Sequence, residues 1–463
     1  MAARLRRALA ARFGVDPRAL AAFRIAVGAL LLVDLLLRAR SLRAFYTDAG
    51  VLPRPALREA FPLFSRLSIH ALSGAAWVQI ALFCLAGAAA VALLVGYRTR
   101  LALLCSWLLL LSLQARNPFV LNGGDVLLRR VTFWALFLPL GARWAVDADS
   151  DTTDRVVGVA SAAILLQVVV VYLVNAVLKT QGEAWPAGTA IRYVFSLDQF
   201  TTPVGAALTG APALLRVATW CWLALVCAAP LLVLTTGRAR AALAGLFIGA
   251  HLGMFATMRL GLFPLVAVAA LLPFLPPFAW DAVERRVAPL SDAIPAVTAP
   301  SRPALPAAIE RWRGPAGRVV VTLLLIIVLV WDTPGLSAAV VGDGPPAPAS
   351  DRWDMFAPDP LSIDGWYVVP GTLASGERID AFHGGPVTWD RPPNVARTYP
   401  TDRWRKYLAN VYRGDADAAD FAGALCRRWD GDLASLSVVY VVEQTRFGAE
   451  EEPVRENLGH YRC

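Results

Sequence analysis

Residues 156–185, VVGVASAAILLQVVVVYLVNAVLKTQGEAW, carry the reading on which the fold turns. From Val156 to Leu178 the stretch is predominantly apolar and long enough to cross a bilayer core as a helix, which takes roughly 17 to 25 residues. It ends on Lys179, one of only two lysines, with Lys406, among 44 basic residues. Tyr172, Asn175 and Lys179 fall at i, i+3 and i+7, with Gln167 on nearly the same stripe, so one helix face gathers the polar groups. Polar side chains in a span are costly unless they face protein or a cavity, and the stripe is expected to point inward. Two roles for Lys179 stay open. Facing a dry cavity, a lysine becomes available as a neutral amine base; at the end of a span it reaches instead to the headgroups.

Similar runs recur upstream and downstream. The 463-residue chain is 57% hydrophobic and 17% charged, with mean hydropathy +0.52, too apolar for an ordinary soluble protein. The expected spans are Leu20–Leu37, Ala75–Gly96, Leu101–Ala115, Val126–Leu140, Val156–Leu178, Ala213–Leu234, Ala241–Met258, Leu262–Pro277 and Val319–Trp331. The chain therefore reads as a mainly α-helical polytopic membrane protein of about nine transmembrane helices, with a C-terminal extracytoplasmic α+β domain. The basic N-terminus reads as an uncleaved signal anchor. Arginine in alternate loops places the N-terminus in the cytoplasm and the tail outside, although the first outer loop also holds Arg38, Arg40, Arg43, Arg54, Arg58 and Arg66. Multi-pass residence in the plasma membrane is the expected location.

From Pro334 onward there are 19 Asp and Glu against 13 Lys and Arg, a balance of −6, so the preceding residues carry +15 and the basic excess belongs to the membrane region. That excess fits anchoring to anionic lipid and gives no case for nucleic-acid binding. Cys84, Cys105, Cys221 and Cys227 fall within spans, where cysteine is a packing residue; Cys426 and Cys463 are the pair that an oxidising exterior could join. No spacing suggests a metal site.

Residues 1–280 form the expected helical membrane domain, 281–318 a Pro/Ala/Arg-rich cytoplasmic linker, 319–331 the last span, 332–350 an outer linker and 351–463 the outer domain. In that domain Gly365–Leu373, Arg378–Phe382 and Leu436–Glu443 read as strands, and Asp402–Tyr412 and Asp417–Trp429 as helices.

Other candidates lie outside the opening stretch. His251 sits in a span and is a functional candidate or an imidazole bonded between helices. Gly245, Gly249 and Gly253, on the other side of its helix, form a seam suited to close helix approach. In the loop RNPFVLNGGDVLLRR (116–130), Asn122 to Asp125 signal a turn, and Asp125 is suited to cap the next helix. Asp34 and Arg38, four residues apart, suit an ion pair at the membrane edge.

FRIAVGALLLVDLLLRARSLRAFYTDAGVLPR (23–54), LVGYRTRLALLCSWLLLLSLQARNPFVLNGGDVLLR (94–129), VYLVNAVLKTQGEAWPAGTAIRYVFSLDQFTTPVG (171–205) and DRWDMFAPDPLSIDGWYVV (351–369) together resemble the bacterial HTTM proteins, a family similar to the vitamin K-dependent gamma-glutamyl carboxylases. The resemblance implies a helical membrane domain with a β-containing outer tail. It also implies chemistry in which a membrane-embedded lysine deprotonates vitamin K hydroquinone, oxygen converts the product to a strong base, and a glutamate γ-carbon is carboxylated. AVLKTQGEAW (176–185) fits the carboxylase segment AGVKKLDADW with Lys179 at its first lysine and Thr180 at the second, the catalytic one, which lies one residue or about 100° around the helix. Gly124 stands where a carboxylase segment like WNNHS has its assisting histidine. His251, in FIGAHLGMF, fits a histidine of FVSYFHCMN.

Two functions follow. One is a membrane enzyme using a lipid-soluble hydroquinone, vitamin K or menaquinone, on an exported peptide, with Lys179 as base, His251 in support, and Tyr172, Asn175, Asn122, Asp125 and Trp185 as binding residues. The other is a non-catalytic protein that keeps the fold to bind a lipid, peptide or protein partner.

Overall fold

The computed structural model describes residues 2–148, 155–291, 316–317, 319–327, 355–445, 447 and 452–463. The N-terminal region is a helical bundle: α1 (Ala2–Phe13), α2 (Pro17–Ala39), α3 (Leu42–Tyr46), α4 (Arg54–Ala60), α5 (Pro62–Leu67), α6 (Ala76–Val95), α7 (Thr99–Arg116), α8 (Gly123–Ala135), α9 (Val159–Gln181), α10 (Ala190–Ser196), α11 (Pro203–Ala207), α12 (Pro212–Cys227), α13 (Leu231–Leu234), α14 (Gly237–Thr257), α15 (Phe263–Leu271) and α16 (Pro277–Ser291). Local chemistry sets the ends. Asp16 accepts from the Arg18 N–H and Pro17 opens α2. Gly96, at φ 80°, ends α6 in the left-handed conformation. Asn122 and Asp125 exchange side chain-to-backbone bonds at the start of α8, so Asp125 caps that helix.

Four described helices, α2, α6, α9 and α14, are long and apolar enough to cross a membrane, and a fifth span results if Phe263–Phe274 and Pro277–Arg286, bent by 110°, count as one. Nine spans are not reproduced among the described residues. The reason is where the chain breaks. Helix α8 starts at Gly123 behind its Asn122 cap but ends at Ala135, five residues before the expected Leu140, and has 13 residues, α12 reaches 16, and Pro264 and Pro273 bracket an α15 of 9. The expected last span is described through residue 327, where it is helical and Val321 joins the bundle core. The expected linker at 281 begins inside α16, because DAVERRVA has no proline to stop the helix. Nearly all the rest of that linker, and the whole of 332–350, lie outside the described residues.

Buried arginines fasten the side of the bundle near the N-terminus. Arg24 donates to the Leu93 and Leu94 carbonyls, both at 2.9 Å, and to Trp144 O, satisfying the free carbonyls at the end of α6. Arg240 does the same for Thr235 and Arg12. Arg18 pairs with Asp281 and Glu284, and Glu284 with Arg143.

The tail is a five-stranded antiparallel sheet: β1 (Ile363–Val368), β2 (Pro370–Leu373), β3 (Arg378–Asp380), β4 (Leu433–Gln444) and β5 (Val454–Arg462). The long β4 pairs with β1 and β2 along one edge, Trp366 opposite Val441 and Gly371 opposite Leu436, and with β5 along the other. The expected strand Gly365–Leu373 is divided at Val369, and β5 is a strand that the sequence pattern does not announce. Helices α17 (Asp402–Tyr412) and α18 (Ala418–Arg428) cover the sheet, and Cys426 is bonded to Cys463. The core beneath them is shared with the bundle. Tyr367, Tyr407, Phe421 and Val438 belong to one cluster with Phe45, Tyr46, Val51, Phe83 and Val120, the Phe45 and Trp404 rings lying 4.8 Å apart. Arg427 donates to Gly50 O and Asn410 to Phe119 O. The sheet packs on one side of the bundle, the domain side.

Candidate functional site

The stripe on α9 is buried: Gln167, Tyr172, Asn175 and Lys179 are each 5% exposed or less. It forms a column in two storeys. In the lower one Tyr172 stacks on Phe247 at 4.5 Å and meets Trp222 and His251. His251 Nδ1 lies 2.8 Å from Phe247 O, which makes Nδ1 the donor and leaves Nε2 an acceptor, 3.4 Å from the Tyr172 hydroxyl. A small apolar void lies beside Tyr172, against Leu127, Val168, Phe263 and Ala267. Gln167 anchors the column by accepting from Trp134 Nε1 at 3.2 Å.

The upper storey is roofed by tail residues 355–359. Lys179 Nζ donates to Met355 O at 2.7 Å and to Phe356 O at 3.2 Å, and Asn175 Nδ2 donates to Met355 O at 3.2 Å. Trp185 Nε1 donates to Phe356 O at 2.8 Å, and its ring lies 3.8 Å from Lys179 Nζ. The Phe356 ring packs 5.2 Å from Phe200. Asp359 takes N–H bonds from Ala184 at 2.7 Å and Glu183 at 3.2 Å. Glycines admit this strap. A Cβ on Gly123 would stand 2.9 Å from Met355 Sδ, and one on Gly182 would be 2.3 Å from Pro358 O. Gly124 is needed elsewhere, since a Cβ there would be 2.8 Å from the Phe263 Cα; close packing of α8 on α15 leaves no room for a histidine.

Asn122 and Asp125 take separate places. Asn122 caps α8 by accepting from the Gly124 and Asp125 N–H groups, whereas the Asp125 side chain also enters a buried charge cluster. Arg38 Nε reaches Asp34 at 2.7 Å and Arg38 Nη2 reaches Asp125 at 2.6 Å; Arg403 Nη2, from α17, reaches Asp34 at 2.5 Å and Asp125 at 3.1 Å. Tyr46 accepts from Arg38 Nη1 at 2.8 Å. The expected edge pair of Asp34 and Arg38 is thus present but fully buried and twice as large. Two cations balance two anions, which such burial requires.

Tyr172 and His251 are brought together, as are Asn175, Lys179 and Trp185 above them. Sequence reading missed Met355, Phe356 and Arg403, whose partners lie more than a hundred positions away. Gly245, Gly249 and Gly253 meet no described atom within 4 Å of an added Cβ; that seam faces away from the column. Among the described residues no group of His, Cys, Asp and Glu could hold a metal ion.

The HTTM domain matches residues 14–280. No curated protein and no solved structure matches the chain. The match runs from the start of α2 to α16 and takes in every bundle residue of the column and its charge cluster, more than half the chain, and the chain therefore belongs to the HTTM family of membrane proteins.

Proposed function

We propose that this HTTM protein is a non-catalytic scaffold of the plasma membrane that holds its sheet domain rigidly at the bilayer surface for a peptide or protein partner. The observation that carries the reading is Lys179 Nζ lying 2.7 Å from Met355 O. Two carbonyl oxygens and the π face of Trp185 are the surroundings of an ammonium ion; a base would direct a free lone pair at its substrate. Lys179 in this reading clamps the tail to the bundle. A cytoplasmic N-terminus and an extracytoplasmic sheet accompany it, supported by the arginines at positions 4, 6, 7, 12 and 18 that precede or open the first long apolar helix.

A second reading draws on the lower storey. His251 Nε2, an acceptor among aromatic rings and facing the hydroxyl of Tyr172, which itself borders the void, suits the hydroxyl of a lipid-soluble hydroquinone in place of Tyr172, with Lys179 freed to act once the strap lifts. One experiment separates the two. Reduced menaquinone and vitamin K hydroquinone are titrated into protein in nanodiscs, with Lys179→Ala, Lys179→Arg and His251→Ala alongside. The scaffold reading expects no saturable binding, a Tm lowered in Lys179→Ala by the loss of charge-assisted bonds worth roughly 2 to 4 kcal/mol, and most of that stability kept in Lys179→Arg, whose guanidinium still donates. Saturable binding by the wild type, lost in both alanine variants, replaces the scaffold with the hydroquinone enzyme.

A further inference from the structure

We propose that α5 and the turn behind it, residues 62–72, form a foot that rests in the lipid headgroup layer on the domain side. The segment is inverted relative to a loop in water. Two of its polar side chains, Ser68 and His70, are buried: Ser68 donates to Ser112 O at 2.7 Å, the His70 backbone N–H donates to Ser112 Oγ at 3.1 Å, and His70 Nδ1 lies 2.7 Å from the same oxygen. Its apolar side chains point out. Leu63, Leu67, Ile69 and Leu72, with Trp77 at the start of α6, are between 44% and 76% exposed.

The inversion is held in place. Phe61 packs 5.0 Å from Phe119 and 5.7 Å from Phe64, and Arg54, fixed by Asp48, donates to Leu72 O at 2.9 Å. Gln79 Nε2 ties the turn to α6 through the His70 and Ser73 carbonyls. These bonds keep the leucines from folding back onto the protein. A braced, contiguous apolar surface of this kind marks an interaction face.

Lipid is the occupant because the patch continues without a break into the exposed side of α6, through Trp77 and Ile80, and α6 is a membrane-crossing helix. Trp77 has the amphipathic ring favoured at that depth. Arg58 and Arg66, both exposed, supply charges for headgroup phosphates, as in interfacial helices.

The test uses the full chain with its free cysteines, Cys84, Cys105, Cys221 and Cys227, replaced by alanine. Single variants Leu63→Cys, Leu67→Cys and Leu72→Cys carry an NBD fluorophore, with Ser375→Cys on the β2–β3 turn as the water-exposed control. Reconstitution is into vesicles of phosphatidylcholine and phosphatidylglycerol. Emission at the three foot positions is expected to shift to the blue of Ser375→Cys and to be quenched by shallow doxyl-labelled lipid more strongly than by deep. Emission and quenching equal to the control at all three overturn the proposal. So does a blue shift without lipid quenching that disappears as protein is diluted in the vesicles, which means a second copy of the chain covers the face.

Discussion

Arg403 shows how much one side chain of the tail contributes to the bundle. Without it, Asp34 and Asp125 face the single guanidinium of Arg38 in a buried site. Arg403→Ala is expected to cost roughly 3 to 5 kcal/mol, read as a lower Tm in detergent; adding Asp34→Asn restores the charge balance and should return some of the loss. A single variant as stable as the wild type would show that water screens the cluster. Asp364, which accepts from the Asp198 N–H at 2.6 Å, gives a pH signature. Burial, and then the neighbouring Asp198 carboxylate, raise its carboxyl to about 7. The folded chain keeps this proton where the unfolded chain, with an aspartate near 3.9, has lost it, so stability falls as pH rises between roughly 4 and 7 and is level above. In Asp364→Asn that portion of the slope should vanish from Tm measured across the window. At this scale the inward stripe on α9 is legible, because helical spacing alone decides which residues share a face. Arg403 and Met355 are not, because nothing local to them signals a partner in a distant helix.

Among the elements, α8 and its glycine pair carry a graded prediction. Gly124 lies against backbone of α15 and Gly123 against the end of a methionine side chain, so Gly124→Ala must push α8 and α15 apart while Gly123→Ala only displaces Met355. The first should lose roughly 1 to 3 kcal/mol, as overpacked cores do, and the second clearly less, by Tm of the two variants; the reverse order would argue against this contact. Helices α17 and α18 are legible because each opens on a capping residue, Thr401 or Asp417, ahead of an amphipathic run. The spans are less so. Hydropathy registers apolar runs but not where helices end within them, which is why α8 and α15 fall short. Strand β5, VRENLGHYR, has no alternation because most of it faces solvent along a charged sheet edge; only its pairing with β4 reveals it.

For the molecule as a whole, the division into an apolar bundle and an acidic tail is legible in composition, but their shared core is not, since the residues that build it are apolar in either context. Phe45, Tyr46 and Phe119 pack with Trp404, Tyr407 and Phe421, so residues 355–463 expressed alone should expose this face, bind a hydrophobic dye and give poorly dispersed NMR spectra. A well-dispersed spectrum from the isolated tail would mean that the sheet completes its own core. The clamp at Lys179 makes any such separation observable. The chain has two lysines, and the amine of Lys179, 1% exposed beneath residues 355–359, is shielded from acylating reagents while the strap is down. Its modification by a membrane-permeant ester, followed by peptide mass mapping, therefore records lifting of the strap in living cells, with half-buried Lys406 as the internal reference.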